Sequence, residues 1–283
     1  MSHPSTIQGW KAELNLEFKK TSSKTVLAHR SQSGPLTVQR PFYPEDDVCH
    51  LYLLHPPGGV VGGDQLNINI KLEERSQVLI TTPGATKFYR SGSPKQKGKL
   101  ATQNQILHIA KDCSLEWFPQ ENIFFDNTHS QLLTKIELEA DAKFMGWEIN
   151  CYGRPASKES FENGKVNTRL ELYRNGQPLI LDGLTVGGEN NALSSATSLN
   201  NYPSFGTFIS THATKELLDK ARASVENCDE NLQVGLTLMD DILVVRCLGQ
   251  YAEQVSTTLR LVWSAIRADI LNRDACPPRI WST

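Results

Sequence analysis

His55-Pro56-Pro57-Gly58-Gly59-Val60-Val61-Gly62-Gly63-Asp64 is the stretch on which the reading of this chain turns. Pro56 and Pro57 fix φ and remove backbone donors, while Gly58, Gly59, Gly62 and Gly63 permit positive φ or close backbone approach. Such a segment is neither helix nor ordinary strand. Before it lies an apolar run of strand length over residues 48–54. After it, Leu66, Ile68, Ile70 and Leu72 alternate with Asn67, Asn69 and Lys71. The stretch is a shaped connection between two strands, and it ends in a carboxylate.

The same alternation continues outward in both directions. Leu14, Leu16 and Phe18 alternate with Asn15 and Glu17 and predict a strand over 12–19, with short strands over 25–29 and 34–40 and a polar turn over 41–47. Downstream, strands are predicted over 77–82, 100–109, 113–117, 143–151 and 166–173, and around Leu132, Ile136 and Leu138. Residues 91–99, with Lys95, Lys97 and Lys99, read as a solvated hairpin tip. Asn175-Gly176 is a strong hairpin turn into a strand over 178–181. No helix is needed before about residue 190. Residues 187–202, rich in Asn, Ser and Gly, fit either a long loop or a weak helix. Residues 214–225 fit a short helix, and Leu232 to Leu238 with Ile242 to Val245 a strand pair. Ala252, Val255, Leu259, Val262, Trp263, Ile266 and Ile270 then recur at helical spacing, with Glu253, Arg260 and Arg267 assigned to the outer side. The pattern is that of a mainly antiparallel β protein of many short strands, with two helices in its C-terminal third, and strand counting leaves a sandwich and a coiled β arrangement both open.

Bulk properties narrow the function. The 283 residues, with 39% hydrophobic content, support one large core, read here as a single domain over 1–283. A net charge of −2 from 29 basic and 31 acidic residues gives no electrostatic reason for nucleic acid or an anionic membrane as partner. With no signal-like N-terminus and no bilayer-length apolar run, the expected location is the cytoplasm. The six cysteines form no Cys-x-x-Cys pair and are expected as buried, reduced thiols; Cys49 and His50, adjacent on a strand, face opposite sides and do not share an ion. Gly58 and Gly63 have the gap of a Walker A loop, but Asp64 and Gln65 follow where Lys and Ser/Thr are required, and no Gly-x-Gly-x-x-Gly runs through these glycines. Nucleotide binding is disfavoured. There is also no Gly-x-Ser-x-Gly elbow and no His-Glu-x-x-His.

A second unusual connection, Thr81-Thr82-Pro83-Gly84-Ala85-Thr86-Lys87-Phe88-Tyr89-Arg90-Ser91, follows the first. Together with Glu116-Trp117-Phe118-Pro119-Gln120-Glu121, Asp126, Gly146-Trp147-Glu148, Gly153-Arg154-Pro155-Ala156 and Pro278-Arg279-Ile280-Trp281, these blocks closely resemble the urease accessory protein UreD (UreH) family in order and spacing. One departure is Lys158, where the family pattern leads one to expect glycine. The resemblance implies a β-helix-like stack of strands with two helices attached. It further implies a non-enzymatic urease maturation factor, a chaperone of metallocentre assembly that binds apo-urease with UreF and, through UreF, the GTPase UreG. In that family the protein is understood as a scaffold and conduit for nickel insertion, with no permanently bound cofactor and nickel(II) in transit; homodimeric assembly within the complex is a further expectation.

Acids and a histidine recur at the loops and strand ends: His55, Asp64, Glu121, Asp126 and Glu148. Carboxylate and imidazole groups suit a divalent ion that must be held weakly and passed on. These five are the candidates for a nickel route, with no stable metal site expected. Trp147 and Ile149 flank Glu148, so its carboxylate must face solvent or be partnered. Pro56, Pro57, Gly58, Gly59, Gly62, Gly63, Pro83 and Gly84 are taken as the structural loop motif. Lys87, Tyr89, Arg90 and Arg154 are taken to position the loops by pairing with the acids or with backbone carbonyls. Asp64→Ala is expected to leave folding intact and lower the nickel content of urease. Two other classes stay open: a β-fold hydrolase using paired carboxylates in a cleft, and a pure protein-protein adaptor with no interior polar path.

Overall fold

In a computed structural model of the chain, residues 9–91 and 98–282 are described, and the alternating segments become strands. They begin with β1 (Lys11–Lys20), β2 (Thr25–Ser33) and the short β3 (Thr37–Val38). The proline-glycine stretch joins β4 (Cys49–Leu54) to β5 (Gln65–Leu72). Next come β6 (Gln77–Thr81), β7 (Thr86–Phe88) and β8 (Ala101–Ile109), then β9 (Ser114–Phe118), β10 (Asn122–Phe124) and β11 (Thr128–Leu138), then β12 (Lys143–Tyr152) and β13 (Gly164–Arg174). The remaining elements are β14 (Gln177–Gly187), β15 (Ser204–Ser210), helix α1 (Lys215–Ser224), β16 (Gln233–Met239), β17 (Ile242–Gly249) and helix α2 (Ala252–Leu271).

Pairing turns this series into a coil. β4, β6, β9 and β12 lie side by side and parallel in one sheet. β1, β5, β8, β11 and β13 lie side by side and parallel in a second. A narrow third face holds Val60, β7, β10 and the end of β12, again in parallel. The chain visits the three faces in turn and steps up by one strand each time, which is the β-helix-like stack. The expectation of mainly antiparallel pairing fails within it. Antiparallel neighbours lie at the margins, where β2 joins β1, β3 joins β4, β14 joins β13, and β15, β17 and β16 extend the first sheet. Alternation in sequence reports which face of a strand is buried and is blind to the direction of its neighbour.

The proline-glycine stretch fits because successive turns touch. An added Cβ on Gly59 would sit 2.2 Å from the Tyr89 ring, which belongs to the turn above. Later, Lys158 occupies the left-handed region at φ 58°, the conformation for which glycine was expected there. Lys158→Gly relieves that backbone and raises stability by about 0.5–1 kcal/mol, read as a higher denaturant midpoint at unchanged m.

Two apolar layers follow from the alternation. Between the sheets pack Leu14, Leu16, Phe18, Ile70 and Leu107 against Leu51, Val78, Ile80 and Leu115. On the outer face of the first sheet, Val255, Leu259, Val262, Trp263 and Ile266 of α2 pack on Phe118, Met145, Trp147, Phe208 and Val245. Thr214 caps α1, its side chain accepting from the Leu217 N–H. Two assignments on α2 are corrected. Arg267, assigned to the outer side of α2, is fully buried, and Arg260 is half-buried with its guanidinium over the Trp281 ring. Of the two readings of 187–202, the loop holds: the hairpin strand β14 runs to Gly187, and turns follow it. β15 is an element no sequence pattern announced. Of the predicted lysine tip, Lys95 and Lys97 lie outside the described residues. All six cysteines are free; burial pushes the Cys49 and Cys247 thiols up to about 12. Cys49 faces the inter-sheet core, whereas Nε2 of His50 meets Glu45 beside α2, on opposite sides as expected.

Candidate functional site

The alternation of β12 decides where its carboxylate goes. Trp147 and Ile149 face the helices and pack in the outer apolar layer. Glu148 and Asn150 therefore face inward, between the two sheets. The inward positions of β8 are Ala101, Gln103, Gln105, Leu107 and Ile109, so two glutamines interrupt an apolar series at the level of Glu148. A cavity of about 210 Å³ lies there. His55, Gly58, Gly59 and residues 82–86 form one side of it, and Gln103, Gln105, Asn122 and Glu148 supply its polar inner wall.

Neutral groups hold the Glu148 side chain. The Thr134 hydroxyl donates to Oε2 at 3.1 Å and Asn150 Nδ2 to Oε1 at 2.8 Å. Asn122 Nδ2 in turn donates to Asn150 Oδ1 at 3.0 Å, which fixes the amide that holds the carboxyl. No hydrogen bond or ion pair to a cation is found for Glu148 among the described residues. Burial therefore raises its pKa, only partly opposed by Asn150 and Thr134, and the charge of Asp182 raises it further. The carboxyl sits deep in the molecule yet borders cavity space, so a small polar particle can reach it. His55, also in the cavity lining, is half-buried, and desolvation lowers its pKa against the pull of Asp64.

The model of the family described as UreD urease accessory protein matches residues 11–282 of this chain. The chain belongs to the UreD family. Similar curated proteins include the urease accessory protein UreD of Alcanivorax borkumensis, 45% identical over 280 residues that cover 98% of this chain and 93% of the relative. Those of Aliivibrio fischeri and Klebsiella aerogenes are 43% and 40% identical, covering 97% and 99% of this chain and the same shares of their own.

Within this UreD-family fold the other sequence candidates are dispersed. Asp64 is buried, but its Oδ1 accepts from the Trp10 N–H at 2.8 Å and its Oδ2 from the Val61 N–H at 2.9 Å. It ties the glycine stretch to the start of β1 and does not line the cavity. Asp126 likewise takes the N–H groups of Glu162 and Asn163 on Oδ1, at 2.9 and 2.7 Å. Glu121 lies half-buried after β9, with its backbone carbonyl accepting from Thr86. Of the loop-positioning set, Tyr89 reaches the Gly58 carbonyl at 3.5 Å. Arg154 pairs with Glu159 rather than with any candidate acid and stacks over Phe125. Lys87 and Arg90 are exposed.

Sequence reasoning missed Gln103, Gln105, Thr134 and Asn150. The signal was present at the glutamines, polar residues on the inward beat of a strand. Asp64 also carries a revised expectation. With its two backbone donors left unsatisfied, Asp64→Ala costs about 2 kcal/mol and loosens the β1 start, so folding is not left intact; thermal unfolding measures it, with Asp64→Asn losing less.

Proposed function

We propose that this chain is a urease maturation factor that binds apo-urease together with UreF and, through UreF, the GTPase UreG, and that nickel(II) passes through it on the way to the urease active site. The observation that carries this reading is the Glu148 carboxyl, held between two sheets by neutral partners and bordering a mostly apolar cavity that Gln103, Gln105 and Asn122 make polar beside it. A buried carboxylate with no cation is a poor stabilising device, and it is a good transient ligand: one oxygen donor set, with His55 also in the cavity lining, binds a divalent ion weakly enough to let it go. The raised pKa adds a proton that the ion must displace, which weakens retention further. Asp64 and Asp126, committed to backbone N–H groups, shape the loops around the passage. The glycine stretch and the Pro83-Gly84 turn form the outer side of the cavity.

An adaptor without an interior role has no use for a polar level inside an apolar stack. The reading is tested by expressing the chain with a urease operon that lacks its own copy. Restored urease activity, with nickel in the purified enzyme, is the expected result; urease that stays free of nickel although the chain co-purifies with it overturns the conduit.

A further inference from the structure

Beyond Glu148 the space between the sheets narrows and then ends on an ion pair. A cavity of about 20 Å³, bordered by Glu148, Asn150, Thr168, Asp182 and Thr207, lies on the far side of the carboxyl. That is room for about one water-sized particle. Past it a wider depression of about 410 Å³ is bordered by Asp182, Phe205, Gln233 and Arg246. Glu148 borders both the first cavity and the small one, and Asp182 borders both the small one and the outer depression.

Register explains this alignment. In the second sheet Gln105 stands beside Thr134, Thr134 beside Leu170, and Leu170 beside Asp182. In the first sheet Glu148 stands beside Thr207 and Thr207 beside Arg246. Two rows thus run toward the same margin of the stack. The first row ends on Asp182 of β14 and the second, past Arg246 of β17, on the side-chain-less Gly235 of β16, so Asp182 Oδ2 and Arg246 Nη2 are the last side chains of the two rows, and they meet at 2.8 Å. Among the described residues no other side-chain bond bridges β14 and β17, and the Asp182 and Arg246 side chains are part-exposed, 32% and 50%. An ion pair so exposed adds little to stability and opens readily.

We propose that the Asp182–Arg246 pair is the exit gate of the passage: closed, its guanidinium bars a dication from the outer mouth, and opened, it leaves the Asp182 carboxylate to take the ion over from Glu148. The proposal rests on the conduit reading. Closed, the pair carries no net charge; Asp182 borders both the small cavity and the outer depression while Arg246 borders only the outer one, so the guanidinium stands on the outward side, where it repels a dication. Swinging Arg246 outward converts the same spot into a bare carboxylate, so one side-chain movement changes both the barrier and the affinity.

Full-length variants are co-expressed with the urease operon lacking its own copy, at limiting nickel, and nickel per urease is followed over time and normalised to the amount of variant that co-purifies. Glu148→Gln and Asp182→Asn each lower nickel loading about tenfold, the scale on which groups at a metal site alter affinity. Arg246→Ala loads faster than the unsubstituted chain, by about fivefold, the scale of one screened charge removed from the path of a dication; Arg246→Lys, which keeps the charge, loads at the unsubstituted rate. If Glu148→Gln is impaired while Asp182→Asn loads normally, or while Arg246→Ala and Asp182→Asn are impaired alike, the pair is only a clasp between two strands and the gate is overturned with the passage intact. If Glu148→Gln loads normally, the passage itself fails and the gate with it.

Discussion

Arg267→Met destabilises the folded chain by about 3–5 kcal/mol, because it leaves two buried carboxylates without their cation. The guanidinium is fully buried on the inner side of α2. Its Nε and Nη2 meet both oxygens of Glu116 at 2.9 and 2.8 Å, and Nη1 and Nη2 meet both oxygens of Glu45 at 2.7 and 2.9 Å. Trp263 Nε1 also donates to Glu116, at 2.7 Å, and His50 Nε2 meets Glu45 at 2.7 Å. Burial alone would lower the Arg267 pKa, but the hydrogen bonds and charges of Glu116 and Glu45 outweigh it and push the value up, so the side chain stays charged. The cluster fastens α2 and the segment around Glu45 to Glu116 of β9. Denaturant unfolding reads the loss as a lower midpoint. Arg267→Met combined with Glu116→Gln and Glu45→Gln recovers most of it, since no charge is then stranded; a triple variant as unstable as the single one would show that packing, not charge, sets the cost. The pH dependence has a definite sign. Burial raises the Glu45 pKa, but His50 and Arg267 overcome that and hold it below the ordinary carboxylate value. Its contribution is therefore present above the unfolded carboxylate pKa and disappears as pH falls through the lower folded value. Arg267→Met flattens that acid limb of the stability curve.

Glu148→Gln separates function from folding in the opposite direction. Loss of the carboxylate lowers the nickel content of co-expressed urease by about tenfold or more, while stability at neutral pH is kept or gained. The gain follows from linkage: a carboxyl whose folded pKa is raised by burial costs the folded state once pH rises above its unfolded pKa, and costs nothing well below it. Glutamine keeps one oxygen to accept from Asn150 Nδ2, can turn its Nε2 to donate to the Thr134 hydroxyl, whose proton then goes to Gln105, and carries no charge to desolvate. Unfolding of the two proteins at a series of pH values shows equal stability in acid and a lead for Glu148→Gln that grows as pH rises through the carboxylate range toward the raised folded value. A variant that is less stable at every pH would mean that the carboxylate is held by more than neutral donors. Nickel delivery by the unsubstituted chain likewise improves as pH rises through the same range, because less of the carboxyl is protonated when the ion arrives.

Strand positions, both helices and the inward or outward sense of most residues were legible in the sequence, because period-two and helical alternation are local consequences of burying one face. Cys49 and His50 facing apart and the short helix from Thr214 are of this kind. The blocks of prolines, glycines and acids also sufficed for the family. Strand direction was not legible, since β4 and β6 bury the same faces whether parallel or antiparallel. Nor was β15, whose Phe205, Phe208 and Ile209 break the even alternation.

Sequence alone determined that Glu148 stands between two apolar residues, Trp147 and Ile149, and so must face solvent or be partnered, and that Asp64 and Asp126 sit in loops between strands. Only the tertiary structure showed what each carboxylate touches. Hydrogen-bond partners come from residues distant in the chain: Trp10 for Asp64, Thr134 for Glu148, Glu116 for Arg267. A carboxylate filled by backbone N–H groups holds a loop, whereas one held by neutral side chains beside a cavity is free to receive an ion, and residue type cannot distinguish the two because the difference lies in what the coil brings alongside.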